Sequence, residues 1–148
     1  MSGTVSLSKV LQVRELEKNN AQKAYHQSMD VFEEMATRLY NILKKKEAAE
    51  ATYETDLHNG ASINKIKQQA IHIEYINKQI NDLQSEVQQA RNAMEQKQIK
   101  LTDAHMEMKK FEKVIQNRKL EEHERVQRSE NIFMDELSIQ QYLGQKNR

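Results

Sequence analysis

Residues 57–62 read LHNGAS, and this short stretch decides the fold. Gly60 and Asn59 tolerate the left-handed backbone conformation that ends a helix, and Ser62 is a favoured cap for a helix that begins at Ile63. The other two glycines lie near the ends of the chain, and there is no proline. The stretch therefore predicts a single turn, with Asn59 and Gly60 at its centre, between two helices that nothing else interrupts.

Apolar residues recur every seven positions on both sides of the turn. The repeat after the turn runs from Ile66 to Ile115 without exception, and a weaker repeat before it runs from Leu11 to Tyr53. Companion series three residues away are also partly apolar, and such a pattern keeps one stripe of a helix against a partner helix. The predicted coiled-coil seam consists of Leu11, Tyr25, Phe32, Leu39, Tyr53, Ile66, Ile73, Ile80, Val87, Met94, Leu101, Met108 and Ile115.

The two repeats have nearly equal length about Gly60, which is typical of a hairpin within one chain. Each arm would extend about 75–80 Å at the rise of an α-helix. The predicted fold is therefore all-α: an antiparallel two-helix coiled-coil hairpin, a long rod, with an overhanging C-terminal helix. The predicted segments are a first helix at 6–57, a turn at 58–62, a second helix at 63–131, and an apolar C-terminal segment at 132–148 that is helical or disordered.

Two groups of apolar residues fall outside the predicted seam. Exposed apolar patches on a helical rod are candidates for binding other proteins, although scattered surface hydrophobes are also normal. For the C-terminal group, the alternatives are folding back, self-association or disorder. The candidate partner-binding residues are Tyr40, Leu43, Ile71 and Tyr75 near the turn, and Phe133, Leu137, Ile139 and Tyr142 near the C-terminus.

The sequence gives little support for catalysis or metal binding. No two of its five histidines have the spacing that places two metal ligands on one helix face, and there is no cysteine. One interior glycine cannot form a phosphate-binding loop, and a two-helix rod has no desolvated pocket in which carboxylates could act as acid and base. We therefore expect that the protein is not an enzyme and that it has no catalytic residue and binds no metal or cofactor.

Charge and hydropathy exclude two further classes of partner. The 23 basic and 22 acidic residues give a formal net charge of +1, and both signs are interspersed along the chain. Nucleic-acid binding needs clustered basic residues, so it is not expected. No apolar run approaches the roughly 20 residues of a membrane span, so direct membrane insertion is not expected either.

Five stretches spread over the whole chain carry a resemblance to a known family. They are VSLSKVLQVRELE at 5–17, RLYNILKKKE at 38–47, TDLHNG at 55–60, KKFEK at 109–113 and MDELSIQQY at 134–142. Through them the chain resembles the FliJ family, the small coiled-coil components of the bacterial flagellar type III export apparatus. The versions from Gram-positive rods such as Bacillus are more similar to it than those of enteric bacteria.

This resemblance implies a function that spacing alone does not. FliJ proteins form a stalk-like hairpin that associates with the flagellar export ATPase and with the export-gate membrane protein, and they assist delivery of substrates or export chaperones. It implies a cytoplasmic protein held at the inner face of the cell membrane through the export apparatus, with a role in motility and chemotaxis. Two alternatives remain open, a structural coiled-coil tether and the equivalent stalk of a virulence type III secretion system.

Overall fold

The computed structural model describes residues 2–146, and they form two long helices. Helix α1 spans Ser2–His58 and helix α2 spans Ile63–Lys146, with no strand in this part of the chain. The two helices pack against each other in opposite directions as a hairpin. The structure thus confirms the predicted all-α antiparallel hairpin.

The helix ends differ in detail from the boundaries read from the sequence. Helix α1 begins at Ser2 rather than at position 6, and α2 continues through 132–146 instead of ending at 131. Of the two states considered for the C-terminal segment, helix is the one the structure adopts up to Lys146, while positions 147 and 148 lie outside the described residues. Neither end contains a proline, so nothing in the local sequence interrupts the helical hydrogen bonds.

The turn closes α1 through hydrogen bonds of the kind found at glycine-terminated helices. The Ala61 N–H donates to the Asp56 carbonyl at 3.0 Å, and the Gly60 N–H donates to the Leu57 carbonyl at 3.4 Å. This pair of bonds is the Schellman arrangement, which requires a residue in the left-handed conformation, and Gly60 has a φ of 75°. Gly60 is thus the fold-back point of the hairpin.

Helix α2 begins with a side-chain cap, as the sequence predicts. The Ser62 hydroxyl accepts a hydrogen bond from the Lys65 backbone N–H at 3.3 Å. The Ser62 carbonyl accepts the first helical bond of α2, from the Ile66 N–H at 3.1 Å. Ser62 therefore satisfies one of the N–H groups that a helix start would otherwise leave unpaired.

Replacing Gly60 with alanine is expected to destabilise the protein by about 1–2 kcal/mol, because a Cβ disfavours the left-handed conformation. The space around Gly60 is open, so the cost comes from the backbone and not from a clash. Gly144→Ala is the matched control. Gly144 lies within α2 with nothing near its Cβ position, so alanine there should be neutral or stabilise by up to about 1 kcal/mol. Urea unfolding of both variants measures the difference, and equal effects would contradict this role of Gly60.

The structure divides into two compact units. One, the turn unit, consists of Asn19–Asp103, and the other, the terminal unit, combines the residues up to Lys18 with those from Ala104 onward. The buried side chains of the turn unit are Ile76 and Ile80, and those of the terminal unit are Met108 and Ile115. Each unit is therefore held by a thin apolar seam rather than by a globular core.

The predicted seam residues are all at least partly shielded from solvent. Ile80, Met108 and Ile115 are buried, and the other ten are half-buried. The most buried side chain is Ile76, which lies three residues after Ile73 in the companion series and is only 2% exposed. The seven-residue period thus marks the shielded side of each helix.

Candidate interaction surfaces

A polar clasp joins the two helices next to the turn. The Gln69 side-chain amide donates to the Asp56 carboxylate, and the Lys65 ammonium lies 3.6 Å from the same carboxylate oxygen. Asp56 and Gln69 occupy companion positions of the two repeats, so they meet where an apolar pair would otherwise stand. The Gln69 side-chain oxygen is buried without a hydrogen-bond partner in the described structure. Polar pairs in a seam favour one register because a shifted alignment would separate them.

A second polar residue lies on the seam of the terminal unit. The Arg14 guanidinium lies over the Phe111 ring, 5.4 Å from its centre, and Arg14 also pairs with Glu17 at 3.0 Å. The ring accepts the cation on its electron-rich face, which lets a charged residue occupy a seam position. Because the contact joins α1 to α2, it also marks which residues of the two helices lie opposite each other.

Helix α2 continues past the start of α1. A Cβ added at Gly3 would lie 3.0 Å from an Arg118 guanidinium nitrogen, so the start of α1 lies beside Arg118. From residue 116 to 146, every residue of α2 is exposed except Glu122, which is half-buried. Residues 123–146 are all exposed, so no described part of α1 covers them. We call residues 126–146 the C-terminal segment from here on.

The exposed apolar residues of the C-terminal segment form two stripes. Ile132 and Ile139 continue the companion series that contains Ile76, Leu143 continues the seven-residue series of the seam, and we call these three residues the seam-continuing stripe. The second stripe is formed by Val126, Phe133 and Leu137, and at a rotation of about 100° per residue it lies about 120° around the helix from the first. All six side chains are exposed, with Phe133 at 63% and Ile139 at 60%. Tyr142, which the sequence also singled out, is exposed beside the seam-continuing stripe.

A polar stretch of α2 separates the seam-continuing stripe from the apolar seam that ends at Ile115. Seam positions between Ile115 and Ile132 carry Arg118, Glu122, Arg125 and Ser129. The Arg125 guanidinium pairs with the Glu122 carboxylate at 3.3 Å on the surface of α2. Charged residues at these positions do not favour an apolar partner helix. The seam-continuing stripe is therefore a separate apolar surface.

The four candidate residues near the turn are all exposed, but only Tyr75 lines a groove between the helices. Tyr40 and Leu43 share a face of α1, where the Lys44 ammonium lies 4.7 Å from the centre of the Tyr40 ring. Tyr75 lines a groove between the two helices. Ile42 lines the α1 side of this groove, and neither Tyr40 nor Leu43 lines it. Leu43 follows Ile42 by one residue, so the helix rotates it by about 100° away from that groove. Ile71 is exposed and does not line the groove either.

This groove runs between the two helices within the turn unit and has a volume of about 570 Å³. The sequence alone did not predict this groove, although the small residues of α1 indicate it. Ala48, Ala49 and Thr52 leave space that larger side chains would fill, and the buried Ile76 forms part of its α2 wall. The remaining lining residues are Ile42, Lys45, Gln69, His72, Tyr75 and Gln79. We call it the turn-unit groove.

The described residues hold neither a metal-binding cluster nor a membrane-spanning stretch. Within residues 2–146 there is no cluster of three or more histidine and carboxylate side chains placed to hold a metal ion. Neither helix, over the same residues, contains a stretch long and apolar enough to span a membrane.

Comparison with known proteins gives the family. The family model described as "Flagellar FliJ protein" matches residues 3–147, nearly the whole chain. The chain belongs to the FliJ family. It is 33% identical over 141 residues to the flagellar FliJ protein of Bacillus subtilis (strain 168), and the match covers 93% of each chain. No solved structure matches this FliJ family chain.

Family membership confirms the resemblance carried by stretches such as MDELSIQQY at 134–142. It supports a role related to flagellar export. The match to the FliJ family extends through the C-terminal segment as well as through the hairpin. Both the turn-unit groove and the two stripes therefore lie within the region that defines the family match.

Proposed function

We propose that this chain is a non-enzymatic component of the flagellar type III export apparatus. In this role it is a stalk-like coiled coil that links the export ATPase ring to the export-gate membrane protein and assists delivery of substrates or export chaperones. It acts in the cytoplasm and is held at the inner face of the cell membrane through its partners. The observation that carries the proposal is the uncovered C-terminal segment with its seam-continuing stripe.

The physical basis is that this segment is already ordered as a helix and already apolar. A partner that covers Ile132, Ile139 and Leu143 gains the burial of exposed apolar surface, worth about 25 cal/mol per Å² before the costs of association. It does not have to order a flexible tail, because the segment belongs to the unbroken α2. A preformed helix is thus suited to insertion into an apolar site of a larger assembly.

Two alternatives are less well supported. A plain structural tether does not require an exposed apolar stripe, which in a monomeric protein marks a binding site. A virulence type III secretion stalk would share the hairpin, but the family match is to flagellar proteins. We therefore place the chain in the flagellar system.

A bridging experiment tests the proposed link. The tagged export ATPase is immobilised and the cytoplasmic part of the export-gate protein is added, with and without the chain. We expect the chain to increase retention of the gate protein by about tenfold or more, because it supplies contacts to both partners. Equal retention with and without the chain would contradict a linking role, even if each partner binds the chain alone.

A further inference from the structure

The turn-unit groove combines an apolar floor with a single charge. Ile42, Ala49 and the buried Ile76 are among its apolar lining residues, and Tyr75 stands at its edge. Lys45 is the only charged side chain in the lining, and no carboxylate is among its ten residues. Lys45 is exposed and makes no ion pair with any residue that the structure describes. It lies in the middle of the basic run Lys44-Lys45-Lys46.

The groove also continues along the hairpin. An adjoining depression of about 410 Å³ shares Ile42, Lys45 and Gln79 with it. The depression is also lined by Arg38, Asp82 and Glu86, so its charges balance, and Lys45 is the single charge only within the turn-unit groove itself. Such an elongated surface between two helices suits a third helix, whose apolar side chains can enter between the ridges of the other two. The charge at Lys45 favours a helix that carries a carboxylate next to its apolar stripe.

The chain itself carries a helix of this description. The stripe of Val126, Phe133 and Leu137 has Glu130 at its centre, because residues 126, 130, 133 and 137 follow helical spacing. Glu130 and Phe133 line the same small surface notch, and both are exposed. The C-terminal segment as a whole carries three acidic and two basic residues, but Glu130 is the only charged residue of this stripe, and its carboxylate suits the ammonium of Lys45.

We propose that the turn-unit groove binds the C-terminal segment of a second copy of this chain. Phe133 and Leu137 enter the apolar part of the groove beside Ile42 and Ile76, and Glu130 pairs with Lys45. The contact joins two different surfaces of the chain, so it is heterologous, and copies can add in series unless two chains exchange segments reciprocally. It uses the stripe that lies about 120° around the helix from the seam-continuing stripe, so Ile132, Ile139 and Leu143 are not part of the contact.

Sedimentation velocity of the full chain over a wide range of concentrations tests this proposal. We expect concentration-dependent association at low salt, and we expect added salt to weaken it because the Glu130–Lys45 pair is screened. Lys45→Glu and Glu130→Lys should each weaken association by about tenfold, since each places like charges together. Combining both substitutions in one chain restores an opposite-charge pair and should recover most of the affinity.

Matched controls separate the groove from general charge. Lys67→Glu makes the same charge change at an exposed turn-unit residue that does not line the groove, and it should leave association unchanged. Phe133→Ser should abolish association, and circular dichroism should show unchanged helix content for every variant. A chain that stays monomeric at all concentrations would overturn the proposal. So would association that responds equally to Lys45→Glu and Lys67→Glu, or that the combined substitution fails to recover.

Discussion

Replacing Ile76 with aspartate is expected to unfold the turn unit. Ile76 is only 2% exposed, and a carboxylate at this position would be buried without a partner. The loss of apolar packing and the cost of the buried charge together should exceed about 4 kcal/mol, which is a large part of the roughly 5–15 kcal/mol by which an ordinary domain is stable. Circular dichroism measures the change. The variant should already have lost much of its helix content before any urea is added.

The thin seam explains why one substitution should have so large an effect. Ile76 and Ile80 are the buried apolar side chains of the turn unit, so little other packing can compensate. Ile71→Asp is the matched control, because Ile71 is the same residue type on the same helix but 67% exposed. It should change stability by less than about 0.5 kcal/mol. Similar losses for both variants would mean that the seam does not hold the two helices together.

Deleting Phe133–Leu143 is expected to weaken binding to the export ATPase or to the export gate by about 100-fold, the effect of losing one or two strong anchor residues. These residues are exposed, so their removal leaves the packed seam untouched. The helix content per remaining residue should therefore stay the same. Pull-down of each purified partner by the intact and shortened chains measures the effect.

Two point variants assign the loss to the seam-continuing stripe. Ile139→Asp should weaken binding by about tenfold or more, because it places a charge in the apolar contact. Gln140→Asp introduces the same carboxylate one residue further on, away from the stripe, and should have little effect. Unchanged pull-down of both partners after the deletion would exclude the C-terminal segment as their binding site.

Much of the fold could be predicted because it depends on local patterns. The seven-residue repeat predicts the shielded side of each helix. Gly60 predicts the position of the turn because glycine readily adopts the left-handed conformation that ends a helix, and Gly60 has this conformation. The helical state of the C-terminal segment was harder to predict. Its apolar residues occupy two sides of the helix, so they do not produce the single stripe that identifies an amphipathic helix.

The surfaces were less predictable because they depend on how two helices face each other. Tyr40, Leu43, Ile71 and Tyr75 are close in sequence to the turn, yet the rotation of each helix places Leu43 and Tyr75 on different surfaces. The turn-unit groove and the Asp56–Gln69 clasp likewise require the alignment of α1 with α2. The repeat in each helix determines which side of that helix is shielded. Only the pairing of specific residues determines which residues of α1 face which residues of α2.

The most direct test of the proposed function is the activity of the purified export ATPase with and without this chain, combined with co-purification of the two proteins. If the chain is a stalk that associates with the ATPase, the two should co-purify, and ATP hydrolysis should increase when the intact chain is added. If the C-terminal segment is the site that binds the ATPase, the variant without Phe133–Leu143 should do neither. Absence of both co-purification and stimulation with the intact chain would contradict the proposal and favour a structural tether.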